Sequence, residues 1–318
     1  MAINPIQMQP GLSLTAFMEQ YGTEAQCEAA MAELRWPQGF VCPRCGDSHA
    51  RTFRRRDQPY WLCQGCQYQC SLRVGTMMER SQLPLTTWFL AIYLITQSKT
   101  NMAALELRRH LGVSYRTAWL LKHKIMEAMR ERESTRLLSG DVRADDAYLG
   151  GERTGGTTGR GSENKVAFVA AVEMHDDRPR YVRFDPVAGF SFKALRAWSE
   201  RALAPGSRVT TDGLLGFEVL GQLGHTHRVV VPPRGKTGTE IPPFRWLNIV
   251  LGNLKTALTG TYHAFQFRKY AARYLGEMQY RFNRRFDMAA MVRRVAVALL
   301  RAKPCTRAGL QRPAELGT

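Results

Sequence analysis

Asp145 and Asp212 each end an apolar, strand-like run, within DVRADDAYL and at the close of RVTTD. Downstream, Asn248 and Lys255 stand in one helical stretch, separated by close to two turns, so both project from the same side. Carboxylates at strand ends, in a chain with 45 Lys plus Arg against 27 Asp plus Glu and a net charge of +18, suit one task well. They can hold divalent cations against nucleic-acid phosphate, which is the chemistry of phosphodiester cleavage. Buried acids in a structural salt-bridge network use the same residue types, and charge alone does not separate the two.

A second constellation lies nearer the amino terminus. Cys42 and Cys45 form one C-x-x-C pair and Cys63 and Cys66 another, with residues 46–62 between them. A thiolate pair on a tight turn grips one zinc ion, and two such turns complete a tetrahedron. Four thiolates leave no open position for water, so this Zn²⁺ is structural. Gly46 and Gly65 are expected to supply the turn conformations of the two knuckles. Between the pairs, Arg51-Thr-Phe-Arg-Arg-Arg and Tyr60-Trp-Leu predict short strands with a cationic, aromatic surface. Seven cysteines, four of them at metal spacing, fit a reducing compartment better than a disulfide framework.

These residues need elements to position them. With 44% hydrophobic residues over 318 positions, the chain can bury an ordinary core in two or three units. Apolar residues at helical spacing predict three helices over 84–133. Gly112 stops the second and Ser114 caps the third. Helix, short turn, then a helix with Arg116, Lys122 and Lys124 fits a DNA-binding helix-turn-helix, though plain three-helix packing has the same pattern. From 134 onward the order reads β-β-β-α-β-α-β-α, an antiparallel meander followed by alternating elements. The segment GGERTGGTTGRGSENK between the first two strands lacks the Gly-Lys-Ser/Thr ending of a phosphate-binding loop. It reads as a mobile substrate-facing loop or a plain flexible hairpin. Arg281, Arg284 and Arg285, in the last basic helix, extend the expected DNA surface. The apolar run at 88–95 is too short to span a membrane, and the amino terminus lacks the pattern of a secretory signal. A cytoplasmic protein with nucleic acid as its partner is expected.

The motifs CPRCG, CQGCQYQCSLRVGT, SYRTAWLLKHKI, ADDAYLGG, VTTDG, WLNIVLGNLKTALTGTYH and YRFNRRF, in that order, carry a family resemblance. The chain resembles the bacterial insertion-sequence transposases that join an amino-terminal zinc ribbon to a DDE-superfamily catalytic domain of the RNase H-like, ISXO2-like kind. That resemblance implies an α/β fold: an RNase H-like mixed sheet with flanking helices, preceded by a zinc ribbon and a helix-turn-helix-like region. It implies five segments: 1–36 helical, 37–80 zinc ribbon, 81–133 helical linker, 134–302 catalytic domain and 303–318 flexible tail. Asp145 would be the first metal-binding carboxylate and Asp212 the second. Asn248 stands where many relatives place a Glu, and Lys255 is the basic residue that follows it. The implied catalytic cofactor is Mg²⁺, with Mn²⁺ as the alternative. The implied partners are the transposon's terminal inverted repeats and target DNA, with a homo-oligomer assembled on them, and the site of action is the nucleoid. An amide oxygen is a weaker ligand for a hard cation than a carboxylate, so Glu277 or Glu240 could supply the missing charge. Asp146 is expected to point to the opposite face of its strand. The competing expectation is a DNA-binding regulator with a degenerate, inactive catalytic domain.

Overall fold

The computed structural model describes residues 10–150, 165–231, 233, 240–262 and 266–312. The glycine-rich segment expected to face substrate lies almost wholly outside them. The chain packs as two compact units. One, the sheet unit, holds 129–286 and the segment from Leu310; the other, the ribbon unit, holds the described residues up to Ala128 together with Asp287–Gly309.

In the ribbon unit, α1 (Leu14–Tyr21) and α2 (Glu24–Arg35) lead into three short strands. Thr23 and Gln26 form a reciprocal capping box that starts α2 where the sequence allows it. Strands β1 (Ala50–Arg55), β2 (Gln58–Cys63) and β3 (Gln69–Ser71) make an antiparallel sheet in the order β1-β2-β3. Helices α3 (Leu85–Gln97), α4 (Ala104–Leu111) and α5 (Tyr115–Ser134) follow. Gly112 ends α4 with a left-handed φ of 64°, and the Ser114 hydroxyl accepts from Thr117 N at 3.1 Å to open α5. Helix α10 (Met291–Arg301) belongs here and not to the sheet, whereas the sequence placed residues to 302 with the catalytic domain. Its buried stripe of Met291, Val292, Val295, Ala298 and Leu299 packs against α2 and α3. A strongly one-sided helix goes where an apolar face awaits it, whatever its place in the chain.

The sheet unit is built on five strands: β4 (Asp141–Leu149), β5 (Val166–His175), β6 (Arg178–Pro186), β7 (Arg208–Thr211) and β8 (Thr226–Val229). Their order is β6-β5-β4-β7-β8, with β4-β5-β6 antiparallel and β4-β7-β8 parallel. This mixed topology is the RNase H-like arrangement expected. One face buries Val142, Ala144, Val169, Ala171 and Val209 under Leu195 and Trp198 of α6 (Phe192–Ala202) and Leu220 of α7 (Val219–Gln222). Helix α8 (Arg245–Thr261) packs on β4 and β5, and α9 (Phe267–Phe282) on β5 and β6. A five-residue helix, α11 (Arg307–Gln311), follows α10. Among the described residues no helix is long and apolar enough to cross a membrane.

Strand β6 lies at a sheet edge, where unpaired backbone groups invite foreign strands. Side chains from α9 and the residue after it close that edge. The Asn283 amide accepts from Val182 N at 2.8 Å and donates to Val182 O at 3.0 Å, and Gln279 Oε1 accepts from Phe184 N at 3.1 Å. Asn283 also donates to Glu133 Oε2 at 2.7 Å, tying α5 to the same point.

Candidate active site and metal centres

The parallel register of β4 and β7 pairs Asp141 with Arg208, Val142 with Val209 and Arg143 with Thr210. Continued two residues past its last pair, it sets Asp145 level with Asp212. The strands part there, so both carboxylates stand at the mouth of a fork, the position in an open sheet where ligands enter. Asp145, Asp146 and Asp212 each offer a carboxylate oxygen, and these atoms lie within 4.8 Å of one another. The Asp145 carboxylate accepts from Asp146 N at 2.9 Å, and Asp212 Oδ1 accepts from Leu214 N at 3.0 Å.

Asp146 corrects the expectation that alternation would turn it away. Past Arg143 and Thr210, β4 has no pairing on its β7 side. A carboxylate from either face of the strand can therefore reach round the open edge to the fork. Burial, then the charges of Asp212 and Asp146, push the Asp145 carboxyl up from 3.8 to about 7; the Asp146 N–H and the Lys255 ammonium oppose that rise. Lys255 thus acts electrically on the acid cluster from α8. Asn248, half-buried on the same helix, donates its amide N–H to Phe244 O at 3.0 Å, and its carbonyl oxygen is the atom with ligand chemistry. Neither Glu277 nor Glu240 belongs to the acid group. Glu277 is fully buried in α9 and pairs with Arg281 at 3.7 Å, and Glu240 is exposed ahead of α8. Three carboxylates crowded this closely, with the Asp145 carboxyl pushed up by burial and then by its acidic neighbours, match the donor set of a Mg²⁺ or Mn²⁺ site.

The four ribbon cysteines also converge, their sulfurs within 4.8 Å of one another. Cys42 and Cys66 Sγ are 3.6 Å apart, and Cys45 and Cys63 Sγ 3.5 Å. A zinc–sulfur bond of about 2.3 Å gives a tetrahedral edge of roughly 3.8 Å, so the cluster has zinc dimensions. The two knuckles share one backbone pattern. Gly46 N donates to Cys42 O and Gln67 N to Cys63 O, while Cys42 N donates to Asp47 O and Cys63 N to Tyr68 O. Left-handed φ falls at Gly46 (80°) and at Gln67 (59°), so the second knuckle turns at Gln67 and not at Gly65 as expected. Gly65 serves instead by its lack of a side chain: a Cβ there would lie 2.7 Å from the Asp47 carboxylate. That carboxylate accepts from His49 N at 3.0 Å and Gly65 N at 2.9 Å, and the His49 contacts hold its pKa down at about 2.

Of the cations expected to face DNA, Arg116 is exposed at the start of α5. The others are interior. Lys122 donates to Met102 O at 2.6 Å and Lys124 to Met77 O at 2.7 Å, both buried. Arg281 is buried beside Glu277. Arg284 is bonded to Glu133 and lies 3.6 Å from the Tyr280 ring centroid. Arg285 donates to the Pro179 and Arg180 carbonyls between the Phe282 and Phe286 rings. The motif YRFNRRF therefore staples the β6 edge and α5, and these cations satisfy carbonyls and a buried acid. A helix pattern shows the spacing of charges but not which side is covered, and long side chains can bury their stems under other elements.

Comparison with known proteins gives two family matches: the ISXO2-like transposase domain over residues 137–283 and the transposase zinc-ribbon domain over 22–69. Over 134 residues the chain is 28% identical to an uncharacterised protein in transposable element ISH50 of Halobacterium salinarum. That match takes in 42% of this chain and 44% of the relative, so the chain spans under half of that protein's length. Among solved structures, the Mos1 strand transfer complex (12% identity, TM-score 0.25) and a pre-cleavage Mos1 transpososome (11%, TM-score 0.24) each overlap 71% of this chain. They overlap 78% and 79% of their own chains. The two family matches together take in more than half of the sequence, in the order that the cysteine knuckles and the acid fork require. The chain belongs to the insertion-sequence transposases that join an amino-terminal zinc ribbon to an ISXO2-like transposase domain.

Proposed function

We propose that this protein binds the ends of its own element and cuts and rejoins DNA by metal-dependent in-line displacement at the β4–β7 fork. The observation that carries the reading is the meeting of Asp145, Asp146 and Asp212 oxygens within 4.8 Å, with the Lys255 charge acting on them. Mg²⁺ or Mn²⁺, when bound, supplies the activation of water or a 3′-hydroxyl and the stabilisation of the leaving oxygen. Asp145 and Asp212 hold the ions, and Asp146 adds negative charge at the open strand edge. Asn248 offers a neutral oxygen from α8, and Lys255 neutralises phosphate beside the scissile bond. Arg116, with the exposed Arg108 and Arg109 at the end of α4, contacts DNA phosphates from the helix-turn-helix, and a homo-oligomer brings two ends together. The substrates are the terminal inverted repeats and target DNA, and the site of action is the bacterial cytoplasm, on the nucleoid.

Asn248 favours a second reading, because an amide replaces a charged ligand: a regulator that binds element ends and does not cut. A Mg²⁺-dependent cleavage assay on end-containing duplex separates the two. Asp145→Ala and Asp212→Ala are expected to abolish cleavage and leave end binding intact. A wild-type chain that binds and never nicks, or variants that cut at the normal rate, would overturn the proposal.

A further inference from the structure

The three-stranded ribbon sheet has two unlike faces. On one, Trp61 meets Trp36 (ring centroids 4.7 Å), Cys70 is buried, and Arg54 pairs with Glu28 of α2 at 3.0 Å. On the other, alternation brings Arg51, Phe53 and Arg55 of β1 to the same side as Tyr60 of β2, its cross-strand partner Ser71 on β3, and Gln69. None of these residues is buried, and Arg51, Arg55 and Gln69 are exposed. At the centre Phe53 and Tyr60 are directly opposed in the register and stack, ring centroids 5.5 Å apart and planes 24° from parallel. Arg51 and Arg55 flank the pair, two residues to either side along β1, and Arg56 follows in the turn.

From this face we infer a binding site for unpaired nucleotides of a DNA strand. Charge complementarity names a polyanion, since the outward-facing charges on the strands are arginines. The aromatic centre narrows it further. A shallow sheet with two ring planes between cations stacks bases, and bases inside a duplex keep their faces covered by one another. Duplex phosphate alone would be served by the arginines and would have no use for the rings. Unpaired bases arise at frayed or cut DNA ends, so the biological source of the ligand rests on the cleavage activity proposed above. The binding itself does not, and the test keeps the two apart.

The zinc-loaded full chain, without added Mg²⁺, is titrated with fluorescent oligothymidylate and with a duplex of equal length at a fixed salt concentration. Phe53→Leu and Tyr60→Leu are each expected to weaken single-strand binding roughly tenfold and to leave duplex binding within about twofold. Arg51→Ala should weaken both, because phosphate contacts do not distinguish them. Equal losses for strand and duplex in the leucine variants, or no loss for either, would overturn the inference. Zinc content measured on each variant reports whether the ribbon has folded. Photocrosslinking of wild-type protein to oligonucleotide carrying 5-iodouracil needs no variant at all. An adduct on Tyr60 or Phe53 is expected, and adducts confined to other residues would overturn the site even if Mg²⁺-dependent cleavage is intact.

Discussion

The crowding at the fork has a thermodynamic consequence that can be measured without DNA. Asp145 is lifted from 3.8 to about 7 by burial and then by Asp212 and Asp146, so in the metal-free protein the folded state binds its proton more tightly than the unfolded chain does. The contribution of this group to stability is then greatest below about pH 4, falls as pH rises toward 7, and is level above. The gap between the two values corresponds to up to ~4 kcal/mol, at about 1.36 kcal/mol per pK unit. Asp145→Asn removes the charge while keeping the shape, so at pH 8 the apo sheet unit should be stabilised by a few kcal/mol. At about 2–4 °C per kcal/mol for a unit of this size, that is a rise in melting temperature of several degrees. At pH 4.5 the gain from the same substitution should shrink to about 1 kcal/mol, because the folded carboxyl is then protonated. Added Mn²⁺ should stabilise wild-type protein at pH 8, where Asp145 is mostly ionised, and do much less for the variant. Scanning calorimetry across pH, with and without Mn²⁺ and always with zinc retained, measures all four conditions. An Asp145→Asn protein that melts below wild type at pH 8 in the absence of Mn²⁺, or a wild type indifferent to Mn²⁺, would refute the reasoning.

Two further outcomes follow from the geometry. Stripping zinc should abolish hydrogen-exchange protection across β1, β2 and β3 while β4–β6 stay protected, because a sheet this small draws its folding energy from the metal; unchanged ribbon protection would count against a structural ion. Arg284→Ala leaves buried Glu133 to the Asn283 amide and to Arg136, whose Nε lies 3.6 Å away, and should cost about 1–3 kcal/mol of stability with the salt dependence of DNA binding unaltered. A variant of normal stability whose salt slope drops by about one would restore Arg284 to the DNA surface.

Much of the fold was legible because its signals are local. The C-x-x-C spacing carries its own geometry, the apolar runs at 141–149 and 208–211 gave strands, and Gly112 with Ser114 gave the turn between α4 and α5. Features set by long-range packing were not legible. Lys122, Lys124, Arg281, Arg284 and Arg285 look like solvated helix charges until the elements that cover them are in place. Asp146 joins the acids because β4 outruns its pairing with β7, a fact of register that no single strand records. Gly65 matters for the Asp47 carboxylate reaching across from the other knuckle, not for its own φ. Helix α10 sits in the ribbon unit through a match of apolar faces between residues far apart in sequence.

The claim that everything else serves is that the β4–β7 fork holds divalent cations. Anomalous diffraction at the manganese edge from crystals of the zinc-loaded protein soaked in Mn²⁺ tests it directly. At least one peak is expected at roughly 2.2 Å from oxygens of both Asp145 and Asp212. Manganese density absent from the fork, with the ion bound elsewhere or not at all, would contradict it.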